Sequence, residues 1–280
     1  MNRHLAIFFL CFIGLTSATH ADLRNKPYQA PLPPIEFDAF VLSVALTTTY
    51  QWVTGELVEG SGPVEAPEDP VTDLQDDLAL EPDIALGVSV EASHKSRWWP
   101  DLRFDYTPIE FTGKHQLGKN LRVGNMSFVK GQVVRSQLEA ISLDLTLLYR
   151  PVKFGSTERP SFVMALGLTA RNVQAALNVR SAGVWRVGAQ RYDVPVLPMA
   201  FLSIDGFVSN RVGLHVEARG VGDGESHWLD VQGAVRVYTA KRAAWLALGH
   251  RFQHLKVVQA GEGGLDAQVR SGDLAVGIRF

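Results

Sequence analysis

The sequence is poor in three things: cysteine, helical periodicity, and long apolar runs beyond its first residues. Its single cysteine, Cys11, lies in an N-terminal apolar stretch, so disulfides are excluded as a source of stability. Past residue 21 no apolar stretch approaches the ~18 residues of a spanning helix, which excludes a helical membrane protein. Lys and Arg number 27 against 29 Asp and Glu, a formal net charge of −2. That balance offers no basic bias toward nucleic acid.

What is present begins with Arg3 and His4, an apolar run from Leu5 to Leu15, and the small or polar residues Thr16 to Ala21. A basic start, a short apolar core and a small-residue exit predict a signal peptide over 1–21, cleaved after Ala21. Residues 22–37 carry Pro27, Pro31, Pro33 and Pro34 and read as an extended periplasmic leader. Residues 38–280 then follow one period, two.

Phe40, Leu42, Val44 and Leu46 alternate with Val41, Ser43, Ala45 and Thr47. The same alternation recurs at Ile84–Glu91, Leu102–Thr107, Ile141–Arg150, Phe162–Arg171, Val212–Arg219, Leu229–Tyr238, Ala244–Arg251 and Gly272–Phe280, with a less clean strand at Val194–Phe207. Strict alternation marks strands whose two faces meet different surroundings. The fold class is therefore all-β: an antiparallel up-and-down transmembrane β-barrel of ten strands of about 10 residues, with eight or twelve left open. Long connections are expected at one end (56–83, 113–132, 181–193, 221–226 and 261–267). Shorter ones are expected at the other (96–101, 151–160, 208–211 and 239–243). In hydrocarbon every backbone polar group needs a protein partner, so the last strand must pair with the first. Tyr50 and Trp52 are expected at the outer interface, and Trp98, Trp99, Tyr149 and Phe280 at the periplasmic one.

The inward parity collects Glu91, Asp105, Asp144, Asp205, Glu217, Asp230 and Asp273, with Arg103, Arg150, Arg171, Arg219, Arg236, Arg251, Arg279 and His215. Arginine's planar fork suits bidentate carboxylate pairing, so a crosslinked lumen network is expected. Its members are Glu91, Arg103, Asp105, Asp144, Arg171, His215, Glu217, Arg219, Asp230, Arg236 and Arg251. Ten strands lie near the size that side chains fill, so the lumen should be mostly closed, with at most a narrow polar passage. The loops differ in sign. Residues 56–83 hold ten acids and no Lys or Arg, and 111–138 hold Lys114, Lys119, Arg122, Lys130 and Arg135 and no acid. Either the acidic loop lies across the basic one and caps the mouth, or it gathers divalent cations near lipopolysaccharide, or it is a solvated loop. Asp73, Asp76 and Asp77 lack EF-hand spacing.

Enzyme motifs are weak. His94-Lys95-Ser96 has a His-x-Ser look but falls at the periplasmic end. Asp223, Glu225, Ser226 and His227 crowd one outer loop, and sequence neighbours seldom build a triad. Asp193 and His227 suit an omptin-like mouth only in position. His115, His250 and His254 form no metal-ligand grouping, and Gly261–Gly264 lacks a phosphate-loop context. No metal, catalytic residue or cofactor is expected.

The alternating final strand GDLAVGIRF, ending on Phe280, resembles the assembly signal of Gram-negative outer-membrane barrels. Thr72–Leu78 and Trp99–Tyr106 are similar to a poorly characterised family of small outer-membrane β-barrel proteins. The resemblance implies fold and location: the cell outer membrane, reached by export. Membrane lipid, lipopolysaccharide and the barrel assembly machinery are the expected partners, and a monomer is expected. The expected function is a structural or narrow-pore barrel. The alternatives are a barrel enzyme (a lipid A hydrolase or omptin-like protease) and a surface receptor or adhesin.

Overall fold

The computed structural model describes residues 40–59, 71–94, 99–123, 126–155, 160–181, 187–209, 211–222, 226–239, 242–259 and 263–280. The expected signal peptide, the leader, Lys95, Ser96, Trp98, Asp223 and Glu225 lie outside them. Every regular element among the described residues is a strand. The strands are β1 (Phe40–Glu59), β2 (Val71–Asp73), β3 (Leu80–Glu81), β4 (Asp83–His94), β5 (Asp101–Gln116), β6 (Leu121–Val123), β7 (Met126–Phe128), β8 (Val133–Gly155), β9 (Pro160–Ser181), β10 (Val187–Phe207), β11 (Val212–Gly222), β12 (His227–Tyr238), β13 (Ala244–Gln259) and β14 (Gly263–Arg279).

Ten of these, β1, β4, β5 and β8 to β14, pair antiparallel with their chain neighbours, and β14 returns to β1. Closure runs from Ser43 opposite Arg279 to Glu59 opposite Gly263. The Phe280 N–H donates to the Leu42 carbonyl at 2.8 Å, so the final residue is part of the seam. The sheet is thus a closed ten-stranded antiparallel barrel. The short strands β2 and β3 attach to β1 and β5, and β6–β7 forms a separate hairpin.

Strand length departs from expectation. The barrel strands run from 11 residues in β11 to 23 in β8. β9 and β10 reach Ser181 and Val187, so most of the expected third loop is wall. β14 begins at Gly263, which removes most of the fifth, and β8 continues through Pro151 to Gly155. Only the first two connections on that side are long.

The added length has its own pattern. Near the Phe280 end, here the lower end, β9 turns Leu166 and Leu168 outward and buries Thr169 and Arg171. Above Arg171 the assignment inverts. Val173, Ala175, Leu177 and Val179 are buried, and Asn172, Gln174, Asn178 and Arg180 hold the other parity. The same switch occurs in β1, from exposed Leu46 to buried Val53 and Leu57, and in β5, from exposed Leu102 to buried Phe111. In β8 exposed Leu145 and Leu147 give way to buried Val134. A strand's two faces keep their geometry along its length, so the inversion reports a change of medium on both sides.

The lower exterior is an apolar band that includes Leu46, Leu86, Leu102, Leu147, Leu168, Val216, Val235, Leu248, Leu274 and Val276, each exposed. Isolated exposed apolar residues are ordinary, but a continuous belt on a closed sheet is the surface hydrocarbon solvates. Exposed Tyr50 tops the band on β1, and exposed Trp99, Tyr149, Phe154 and Phe280 border its lower rim.

Candidate functional site in the lumen

Two layers fill the barrel. The lower one is polar and is built by inward residues of the lower strands. Asp144 of β8 accepts from Arg171 Nε at 2.8 Å and Nη2 at 2.6 Å, and also from Arg219 Nη1. Asp230 of β12 accepts from Arg171 Nη2 at 2.6 Å and from Arg251 Nε and Nη2 at 2.8 and 2.7 Å. Asp105 of β5 accepts from Arg103 Nε at 2.9 Å and Arg219 Nη2 at 2.7 Å. Glu217 of β11 accepts from Arg103 Nη1 at 2.7 Å and Arg219 Nη2 at 3.1 Å.

These contacts make one connected set of four carboxylates, Asp105, Asp144, Glu217 and Asp230, with four guanidiniums, Arg103, Arg171, Arg219 and Arg251. Its formal charge is zero. Arg219 ties β11 to β5 and β8 on the facing wall, and Arg251 Nη1 reaches Thr107 Oγ1 of β5 at 3.3 Å. Arg171 is fully buried, so each charge here depends on its partners: a buried ion left alone is far more costly than a paired one.

Toward the lower rim the set continues. His215 sits between Asp205, 2.8 Å from its Nδ1, and Glu217, 3.2 Å from its Nε2. Arg236 Nη1 lies 3.4 Å from Asp205, and its guanidinium lies over the Trp245 ring at 5.0 Å. Arg150 bonds Glu91 at 2.6 Å and also Asp101. Every residue expected in the network is therefore on the inner side with a charged or hydrogen-bonding partner. Asp273 departs from its arginine-rich surroundings: it is held by Ser271 Oγ at 2.7 Å and Gln232 Nε2 at 3.2 Å. Arg279 is exposed at the lower rim. A cavity of about 50 Å³ remains among Thr47, Thr49, Ser89, Arg103, Asp105, Glu217, Arg251 and Asp273.

The upper layer is apolar. Val53 and Leu57 of β1, Phe111 of β5, Val134 of β8 and Leu177 and Val179 of β9 point into the mouth. Leu74, Leu78 and Leu80 from the first connection meet them, as do Leu117, Leu121, Val123 and Phe128 from the second. Two acids of the first connection have a local role. Asp73 Oδ1 accepts from the Gln75 and Asp76 N–H groups at 2.7 and 2.6 Å, and Asp77 Oδ2 accepts from the Asp73 N–H at 2.7 Å. Such side-chain-to-backbone bonds fix a tight turn. This one sets Leu74 and Leu78 four residues apart into the barrel. The two loops do meet, through Lys119 Nζ and Asp77 Oδ2 at 2.6 Å. Beneath the plug, Trp228 and Met199 pack with Val173, and the Arg171 guanidinium lies 4.8 Å from the Trp228 ring centroid.

Reasoning from parity found the charges and missed the plug. Its one available signal was the run of leucines, Leu74, Leu78 and Leu80, inside an otherwise acidic loop. It also missed a chain of titratable groups at the upper end of β12–β14: His227 Nε2 is 3.3 Å from His254 Nδ1, and His254 Nε2 is 2.9 Å from Asp266 Oδ1. Leu229, Leu248 and Leu274 show that this parity faces outward, so the chain lies on the outer wall and not in the mouth. His227 is thus joined to Asp266, while the side chain of Asp193 lies outside the described residues. No group of His, Cys, Asp and Glu among the described residues is arranged to hold a metal ion.

No family model matches the chain, and no curated protein matches it. Among solved structures it is similar to the outer membrane protease OmpT from Escherichia coli, at 9% identity over 87% of this chain and 97% of that one, with a TM-score of 0.55. Neisserial surface protein A (NspA) aligns at 10% identity over 86% of this chain and 97% of that one, with a TM-score of 0.33. The P. putida toluene transporter TodX aligns at 7% identity over 87% and 90%, with a TM-score of 0.32. The OmpT likeness establishes the outer-membrane-barrel fold and nothing of chemistry.

Proposed function

We propose that the chain is a non-conducting outer-membrane barrel, a sealed structural wall whose upper part stands above the bilayer. The observation that carries this reading is the double closure of the lumen: a neutral network of four carboxylates and four arginines roofed by an apolar plug. A narrow barrel filled by side chains offers ions no continuous water path, and the plug gives them no partner on entry. The apolar belt and the seam at Phe280 support placement in the outer membrane, with an N-terminal signal peptide as the export route. Planar-bilayer recording of the refolded protein tests it. No unitary steps are expected; steps at neutral pH and moderate salt that vanish with heat-inactivated protein would overturn the closed reading.

The chain Asp266–His254–His227 favours a second reading, a hydrolase working at the outer face. A carboxylate that orients one imidazole against another is an arrangement from which a ring nitrogen can take a proton from a nucleophile. Hydrolysis of lipid A or of a surface peptide by the native protein, lost in His254→Ala, would support it. Equal background with both proteins would remove it.

A further inference from the structure

The outer wall above the apolar band carries three cations in register. Lys114 of β5 stands opposite Arg135 of β8, and Arg135 stands opposite Arg180 of β9. All three are exposed. Their parity is that of Leu102, Leu145 and Leu168, so they face away from the lumen. None of them has an acidic partner among the described residues. Like charges directly opposite on neighbouring strands destabilise a sheet, and three in a row compound that cost. The connection from 117 to 132 contains no acid, and its Lys119 is paired with Asp77 of the first connection.

The height of the row selects its partner. Pro108 and Ile141, opposite each other, top the apolar band on this side. Lys114 lies six residues further along β5, which at about 3.4 Å per residue and a tilt near 40° is roughly 15 Å above the hydrocarbon edge. The acids Glu110 and Glu139, also opposite each other, sit two pleats lower. The polar pair Thr112 and Gln137 lies between them and the cations. An anion at the level of the row meets the cations and stands clear of Glu110 and Glu139, while Glu81, opposite Thr112, borders only the Lys114 end of the row.

We propose that Lys114, Arg135 and Arg180 form a docking site for phosphate groups on the sugar heads of outer-leaflet lipopolysaccharide. The site rests on the outer-membrane placement proposed above, but not on the closure of the lumen. Phosphate bound across the row turns three mutually repelling charges into charge-assisted hydrogen bonds.

The test uses the full chain refolded in detergent and, separately, inserted into phosphatidylcholine vesicles. The probes are core-truncated lipopolysaccharide with its phosphates and the same molecule dephosphorylated, titrated calorimetrically. Native protein is expected to prefer the phosphorylated probe by about tenfold or more, with affinity falling as salt rises. K114Q/R135Q/R180Q should lose that preference, and Lys153→Gln, exposed at the opposite end, should keep it. Equal binding of both probes by the native protein overturns the proposal, as does unchanged preference in the triple variant. Equally tight binding of a poly-glutamate peptide would assign the row to an acidic protein and overturn it too. If the triple variant does not fold, Arg180→Gln and the native two-probe comparison decide. Flotation with lipopolysaccharide-free vesicles reports membrane insertion separately, so a failed placement and a failed site give different results.

Discussion

The lower and upper halves of this barrel are made from the same strands and obey opposite rules. Below, the wall is apolar outside and charged inside; above, it is polar outside and apolar inside. The inversion is visible within single strands, between Arg171 and Val173 in β9 and between Gln51 and Val53 in β1. Each half places its oil where water is absent: against lipid in the lower half, within the lumen in the upper. The two fillings also close the barrel by different physics. The plug is held by non-directional exclusion of water, so its members tolerate one another's small movements. The network is directional, and each carboxylate must keep its guanidinium or remain as a stranded buried charge.

The sharpest way to break this contrast is to remove one charge from the lower half. Arg219→Met strips a donor from Asp105, Asp144 and Glu217 at once. The expected loss is about 3–5 kcal/mol, the cost of leaving buried carboxylates uncompensated. Urea unfolding of the protein in lipid vesicles measures it. A loss under about 1 kcal/mol would mean that water already screens these groups, and that the lower lumen is a wet passage.

In the upper half the matching change is Leu78→Ala. Leu78 is fully buried in the plug, so its truncation should cost about 2–5 kcal/mol through lost transfer energy and the cavity left behind. The two substitutions lie in separate layers with no shared partner. Their double variant should therefore be additive to within about 0.5 kcal/mol. A coupling of 1 kcal/mol or more in the same unfolding experiment would show that the layers are one cooperative core.

The contrast also explains what the sequence disclosed and what it withheld. The alternation at Leu102–Thr107 and Ile141–Arg150 was legible because hydrocarbon outside and charge inside put opposite chemistry on opposite parities. The ten-strand count and the lumen residues follow from that. The upper wall was not legible as wall. In Asn172–Arg180 the alternation persists with its sense reversed, and a search for outward oil reads it as the end of a strand. The plug was hidden for another reason: Leu74 and Leu78 are separated by polar residues, and only the Asp73 turn reveals that they share a face. Of the acids in that connection, Asp73 and Asp77 fasten the turn, and Asp77 also makes the expected contact between the acidic and basic loops through Lys119.

A smaller effect is expected where the plug meets the wall. A Cβ added at Gly113 would lie 2.4 Å from the carbonyl oxygens of both Leu78 and Ala79. Backbone on both sides cannot step aside as a flexible side chain would, so Gly113→Ala should either lift the turn or strain β5, at about 1–3 kcal/mol. Faster hydrogen exchange confined to Leu74–Leu80, with the lower strands unchanged, is the expected signature. Loss of protection spreading to Arg171 and Asp230 would contradict the separation of the layers.

The smallest effect belongs to the contact that the loop charges suggested most directly. Lys119 pairs with Asp77 at 2.6 Å, but its side chain is about half exposed. An exposed pair of this kind contributes about 0–1 kcal/mol, and salt screens it. Lys119→Gln should therefore lower stability by less than 1 kcal/mol at low salt and by nothing measurable at ~1 M salt, where the Debye length is near 3 Å. A salt-independent loss as large as that of Leu78→Ala would reverse the ranking. The mouth would then be closed by attraction between loops of opposite sign, with the leucines merely filling the space beneath.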